Sequence, residues 1–172
     1  MTRTNFIVEA AKWYLGRTEK KGNSGFNDSD FEKELKNAGW YVGAPWCAFF
    51  GNMVWIKHLK DNSKLYEIAK RLDSGSALQT FKNYQADSNF ETGDKPKLGA
   101  KVIWTLGHGP SGHEGIVVEV NEKTNTMITV EGNTNNSGSR EGDCVAMKPR
   151  TINRPFKEGG LNVVGYIYPV EY

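Results

Sequence analysis

The sequence predicts an α+β fold in which N-terminal helices pack on a C-terminal antiparallel β-sheet, with a cysteine at the start of one helix. Two observations carry the prediction. Apolar residues recur at helical spacing from Phe6 to Tyr84, and from Leu98 onward the pattern changes to short β-branched and aromatic runs separated by glycine and polar clusters. Helices first and strands afterwards points to a segregated α+β arrangement rather than alternating βαβ units. The third observation is size: 172 residues with 38% apolar content suit one compact domain over residues 1–172, able to bury a core without staples.

Taken in order, Thr4 is placed to cap a first helix that ends near Gly16, with Phe6, Ala10, Trp13 and Tyr14 on one face. Ser29 and Glu32 read as a capping box opening a second helix, in which Phe31, Leu35 and Ala38 recur before Gly39 stops it. Pro45 has a fixed φ and no N–H to lose, so a third helix begins at or just before Cys47, within the apolar run Trp46 to Leu59. A short helix follows near Lys64 to Leu72, and Ser76 opens another through Leu78, Phe81 and Tyr84. Strands are expected at Lys101 to Leu106, Glu114 to Val120, Thr126 to Glu131, Cys144 to Lys148 and Val163 to Tyr168. Asn121 to Asn125 joins two of them as a hairpin loop, and the polar stretch Thr134 to Gly142 reads as a loop beside the site that hairpin carries.

Charge and cysteine usage exclude several classes. Net charge is +2 with acids and bases interspersed, which gives no case for nucleic acid as a partner. Cys47 and Cys144 are far apart and form no CxxC pattern, so neither a disulfide framework nor a cysteine-rich zinc site is indicated. Glu9 and Lys12 interrupt the apolar positions from Phe6 to Leu15, which makes that segment an amphipathic helix and not a signal-peptide core. No stretch approaches a membrane span. The expectation is a monomer made in the cytoplasm without a signal peptide or membrane insertion.

The chemistry converges on three segments. Unsatisfied N–H groups and the positive end of the helix dipole favour a thiolate over a thiol at Cys47, the requirement for a nucleophile. His113 heads the strand Glu114-Gly115-Ile116-Val117-Val118, and Glu131 and Asn133 close the next one. A five-residue hairpin loop pairs Val120 with Thr126. That register brings His113 opposite Asn133 and Gly115 opposite Glu131, all on one face. The set has the parts of a nucleophile, base and orienter arrangement: Cys47 attacks an amide carbonyl, His113 moves the proton, and Glu131 fixes the imidazole. Asn133 shares that work or polarises the tetrahedral intermediate, and the Cys47 N–H is the first oxyanion donor.

The chain resembles the CHAP family, the cysteine, histidine-dependent amidohydrolases and peptidases related to NlpC/P60 peptidases. The resemblance rests on Pro45-Trp46-Cys47-Ala48-Phe49-Phe50, Gly75-Ser76-Ala77 before a helix, Lys97-Leu98-Gly99 before a strand, Gly112-His113-Glu114-Gly115-Ile116-Val117, Val130-Glu131-Gly132-Asn133-Thr134 and Gly165-Tyr166-Ile167. These pieces occur in the family's order from about Trp13 to the C-terminus. The resemblance implies a papain-like arrangement and cleavage of peptidoglycan amide bonds, either as an N-acetylmuramoyl-L-alanine amidase or as a stem or cross-bridge endopeptidase. The family's nucleophile falls on Cys47, its base on His113, its third polar residue on Glu131, and Asn133 matches a polar position two residues later. Ala100 departs from the pattern, where the family commonly has glycine followed by aspartate.

No cofactor is expected. Some relatives bind calcium, and Asn27-Asp28-Ser29-Asp30 offers oxygen ligands, but helix capping explains that tetrad better. His108 and His113 have no third zinc ligand at a recognisable spacing. Trp40, Tyr41, Trp46 and Trp104 are candidates to line a groove for sugars and peptides, with peptidoglycan as the partner. A phage lysin or a bacterial cell-wall-degrading effector fits these features. The competing functions are a non-catalytic module that binds wall peptides and a thiol-dependent protein deamidase or transamidase.

Overall fold

The computed structural model describes residues 2–134 and 142–171; most of the loop expected between Thr134 and Gly142 lies outside the described residues. Among the described residues five α-helices precede the sheet: α1 (Arg3–Trp13), α2 (Ser29–Asn37), α3 (Cys47–Trp55), α4 (Ser63–Leu72) and α5 (Ala77–Ala86), with a 3-10 turn at Ile56–Leu59 after α3. Six strands follow, β1 (Thr92–Gly93), β2 (Lys101–Leu106), β3 (Gly112–Asn121), β4 (Thr126–Thr134), β5 (Cys144–Thr151) and β6 (Leu161–Ile167). They form one antiparallel sheet in the order β1-β6-β2-β3-β4-β5, so the last strand of the chain sits inside the sheet and β5 is an edge.

The α+β reading holds, and local chemistry corrects it in places. α1 is capped by Thr2, whose side chain accepts from the Asn5 N–H, not by Thr4. Its buried face is Ile7, Val8, Ala11 and Tyr14, while Phe6 and Trp13 are exposed. The expected face is therefore rotated, because only the face with Ile7 meets α3 and the sheet. α2 is capped by Asp28, which accepts from the Asp30 and Phe31 N–H groups, and Glu32 accepts from the Phe26 N–H; Ser29 with Glu32 is not a capping box. Ser76 caps α5 as expected. The two-residue strand β1 pairs with β6 and has no sequence signal of its own.

Two apolar clusters cover the two faces of the sheet. The larger holds the buried faces of the helices with Ile103, Ile116, Val118, Val130, Val145 and Ile167, and α3 lies across β3 and β4. The smaller holds Val102, Trp104, Val117, Met127, Ile152 and Tyr166. Around the entry to α3, Tyr14, Phe26, Phe31, Trp46 and Phe50 meet largely edge to face at centroid distances of 5.0–6.4 Å, a geometry that favours aromatic pairs.

A buried ionic group ties the helices to the sheet. Lys101 on β2 is fully buried, and its Nζ donates to Asn52 Oδ1 of α3 at 2.6 Å and to Asp73 Oδ1 after α4 at 2.9 Å. The Trp55 and Tyr84 rings each lie 4.9 Å from that nitrogen. A buried cation is tolerated where charge and hydrogen bonds are supplied together.

Candidate active site

Cys47 is the first residue of α3, as its sequence context predicts. Trp46 immediately before it is completely buried, and its indole N–H donates to Glu19 Oε2 at 2.9 Å, which fixes the chain on its way into the helix. No side chain caps α3, so its first-turn N–H groups are left to whatever occupies the space in front of Cys47.

His113 enters from β3. Its Nε2–H donates to Glu131 Oε2 at 2.6 Å, which leaves Nδ1 as the nitrogen for Cys47, whose side chain lies close enough to favour the charged imidazole. The imidazole stacks on Trp104, its cross-strand neighbour, at a centroid distance of 5.6 Å. Glycines make this possible: a Cβ on Gly115 would stand 2.9 Å from Glu131 Cγ and 3.3 Å from the Trp104 ring. A Cβ on Gly132 would stand 2.7 Å from Phe50 Cβ and from the Trp46 ring, so the end of β4 approaches the start of α3 only because residue 132 has no side chain.

Glu131 is fully buried, and its charge is answered from three sides. Arg150 on β5 grips it with two hydrogen bonds, Nε to Oε1 at 2.7 Å and Nη2 to Oε2 at 2.6 Å. Thr129 Oγ1 donates to Oε1 at 2.6 Å, and His113 supplies the rest. Burial alone would raise the carboxyl; the His113 charge and the hydrogen bonds from Arg150 and His113 outweigh it and hold the pKa at about 2. Burial would lower His113, but the Glu131 charge, the nearby Cys47 side chain and the hydrogen bond to Glu131 lift it to about 10. The imidazole is therefore a cation throughout the neutral range.

The hairpin reached this arrangement by a route the loop count does not give. Near the turn the pairing is Asn121 with Thr126 and Val120 with Met127, one residue off the expected register. A bulge between Val117 and Glu119 restores Val117 opposite Thr129 and Ile116 opposite Val130, where the β3–β4 ladder ends. The expected His113–Asn133 cross-strand pair is absent among the described residues. Asn133 instead adopts a left-handed φ of 51° within a second bulge, where β4 shifts register against β5 between Glu131 and Thr134. Asn133 lines the groove, and no hydrogen bond joins it to His113 among the described residues.

Cys47, His113 and Asn133 open into a groove of about 850 Å³, walled by Pro45, Gly75, Ser76 and Ala77 on one side and by residues of β5 and the β5–β6 loop on the other. Of the four aromatic residues expected there, only Trp104 lines it; Trp40 and Trp46 belong to the core, and Tyr41 is exposed outside the groove. Sequence reading missed Arg150 and Thr129. The signal for Arg150 was the alternation Lys148, Arg150 along a strand whose reading stopped at Pro149.

Asp28, in the tetrad weighed for calcium, is occupied with capping α2 and with an ion pair to Arg17 at 3.3 Å. Among the described residues no three His, Cys, Asp or Glu side chains cluster as metal ligands, and no helix is long and apolar enough to cross a membrane.

No curated protein and no solved structure matches the chain. The CHAP domain family matches residues 36–133, more than half of the chain but narrower than the stretch from Trp13 to the C-terminus over which the motifs resemble it. The matched segment contains Cys47, His113 and Glu131, and Arg150 lies beyond it. The chain belongs to the CHAP domain family, whose members are in general amidases and peptidases that act on peptidoglycan.

Proposed function

We propose that the protein is a thiol hydrolase that cuts an amide bond of peptidoglycan, with Cys47 as nucleophile, His113 as acid and base, and Glu131 as the group that orients the imidazole. The observation that carries the reading is the His113 ring held between the Cys47 side chain and the buried Glu131. A nucleophile beside a base that is itself oriented by a third group is the arrangement covalent amide hydrolysis requires.

The steps follow from the positions. The Cys47 thiolate adds to the amide carbonyl, and the oxyanion forms in front of the uncapped first turn of α3, where the Cys47 N–H donates to it. Asn133, free of any bond to His113, is the second donor. The imidazolium at His113 gives its proton to the leaving amine as the C–N bond breaks, leaving a thioester on Cys47. The neutral imidazole then takes a proton from water, which adds to the thioester and releases the acid. Glu131 keeps its charge throughout and holds the ring in one tautomer.

Digestion of purified peptidoglycan by wild type and by Cys47→Ala, with fragments identified by mass spectrometry, tests this reading. New amine and carboxyl ends are expected with wild type only, with turnover by the variant lower by at least about 10⁴-fold. The masses distinguish the lactyl–L-alanine amide from a bond within the stem or cross-bridge. Full activity in Cys47→Ala would end the proposal. No fragments from several wall types, with Cys47 inert to alkylation, would favour a module that binds wall peptides.

A further inference from the structure

We infer that the groove contains a carboxylate-binding subsite built from Arg154 and Lys157, and that the peptide it takes presents free carboxylates to that arm. The inference rests on the proposed hydrolysis only in assigning the ligand to the peptide whose amide lies at Cys47.

Lys148, Arg150, Arg154 and Lys157 line the groove, and no Asp or Glu does so among the described residues. A net charge of +2 over the whole chain does not require such a concentration, so it is local. Arg150 is committed to Glu131. Arg154 and Lys157 are not committed to any carboxylate among the described residues. Among the described residues the Arg154 guanidinium bonds to the backbone carbonyls of Leu161 and Pro155, and the loop's own acid, Glu158, faces His108 at 3.6 Å.

These two side chains converge on one point. A Cβ built on Gly160 would stand 3.0 Å from Lys157 Cδ and 3.1 Å from Arg154 Nη2, so the bare glycine is where the cationic chains pass each other. The loop that holds them is tied down. Lys157 N donates to Asn162 Oδ1 at 2.8 Å, and Asn162 Nδ2 donates to the carbonyls of Lys157 at 2.9 Å and Gly160 at 3.0 Å. Phe156 stacks on His108 of the β2–β3 loop at 4.3 Å, and the Gly107 N–H donates to Gly160 O at 3.1 Å. Two cationic side chains carried on a tied-down loop that lines the groove offer a carboxylate charge-assisted hydrogen bonds from one arm.

The test uses two synthetic wall-type peptides of identical sequence, one with free side carboxylates and one with them amidated. Calorimetric binding to the Cys47→Ala protein and turnover by wild type are both measured. The free-carboxylate peptide is expected to bind about 10- to 100-fold tighter, the range for hydrogen bonds to a charged partner. Arg154→Gln with Lys157→Gln is expected to reduce that preference to within twofold while leaving binding of the amidated peptide unchanged; Lys157→Gln alone, at an exposed side chain, reduces it in part. Equal binding of the two peptides, a preference that survives in the double variant, or tighter binding of glycerol phosphate than of the free-carboxylate peptide would overturn the inference. The two readings fail separately. Preferential binding without turnover by wild type removes the hydrolase and keeps the subsite; equal binding and equal turnover of both peptides removes the subsite and keeps the hydrolase.

Discussion

His113 holds its proton well above the ordinary range because the buried carboxylate of Glu131 stands 2.6 Å away. The consequence is a pH profile. Activity that depends on the imidazolium is expected to persist through the neutral range and to fall as pH rises through about 10. Burial opposes the proton and the Glu131 charge is the main force keeping it, so Glu131→Gln should bring that falling limb down toward 6.5 or below, measured as kcat/KM against pH. An unmoved limb would show that Glu131 does not set the protonation of His113. The same pair stabilises the fold in a defined window: the His113 contribution is complete below about 6.5 and is lost as pH rises through about 10. Arg150→Ala removes two charged hydrogen bonds from Glu131, and kcat/KM is expected to fall about 10- to 100-fold with the amidated and free-carboxylate peptides alike, the equivalent of about 1.5–3 kcal/mol. Cys47, His113 and Glu131 were legible in the sequence because each stands beside a strong local marker: Pro45, a glycine-rich approach, a strand end before Gly132. Arg150 was not, because a strand reading stops at proline, which removes a ladder donor. β5 is the edge of the sheet, where a missing N–H costs little, so the strand runs through Pro149 to Thr151 and places Arg150 over Glu131.

At the level of elements, the approach of α3 to the sheet depends on two missing side chains. Gly132 admits Trp46 and Phe50 to the end of β4, and Gly51 in the middle of α3 leaves the space that Glu114 of β3 fills. A Cβ on Gly51 would stand 2.1 Å from Glu114 Oε1, and the carboxyl has no open space to retreat to because it is fully buried. Gly51→Ala is therefore expected to lose about 1–3 kcal/mol in denaturant unfolding despite alanine's better helix propensity, the cost of overpacking. Combining it with Glu114→Ala should recover most of the loss, since the clash is between those two side chains. A double variant no more stable than Gly51→Ala would place the strain elsewhere. The sequence predicted all five helices and five of six strands because their periodicity is local. It did not predict the relation between them. The loop count placed the hairpin one residue out, and a bulge between Val117 and Glu119 brought Ile116 back opposite Val130. That compensation is a property of the twisted sheet, and no residue pattern announces it. The cap at α1 and the rotation of its buried face were misread for a similar reason: several residues compete locally, and packing against α3 decides.

Across the whole molecule, Glu114 and Lys101 join the helical half to the sheet, and they do so at an electrostatic cost that varies with pH. Lys101 satisfies itself on Asn52 and Asp73, and its Nζ lies 3.9 Å from Glu114 Oε1, too far for a hydrogen bond. Neither Glu114 oxygen has a hydrogen-bond partner among the described residues. Burial, reinforced by the Asp73 charge and opposed by Lys101 and His113, pushes the carboxyl up to about 8. In the unfolded chain the same group ionises near 4.5. Below that value both states hold the proton and Glu114 adds no pH dependence. Between about 4.5 and 8 the unfolded chain has released it while the folded chain has not, so stability falls as pH rises through that window. The difference is worth on the order of 5 kcal/mol at its upper end. Glu114→Gln fills the same niche with a group that does not titrate. Its unfolding free energy is expected to match wild type near pH 4 and to exceed it increasingly up to pH 8, measured by urea unfolding across the range. Parallel curves for the two proteins would mean that Glu114 ionises in the folded state as it does in water, which requires water or a donor at both of its oxygens. Activity should be nearly unchanged at pH 6 in Glu114→Gln, because the side chain lies on the α3 side of β3 and His113 faces the groove. A variant that gains stability at pH 8 and keeps its turnover would separate what holds the two halves together from the proposed catalytic set.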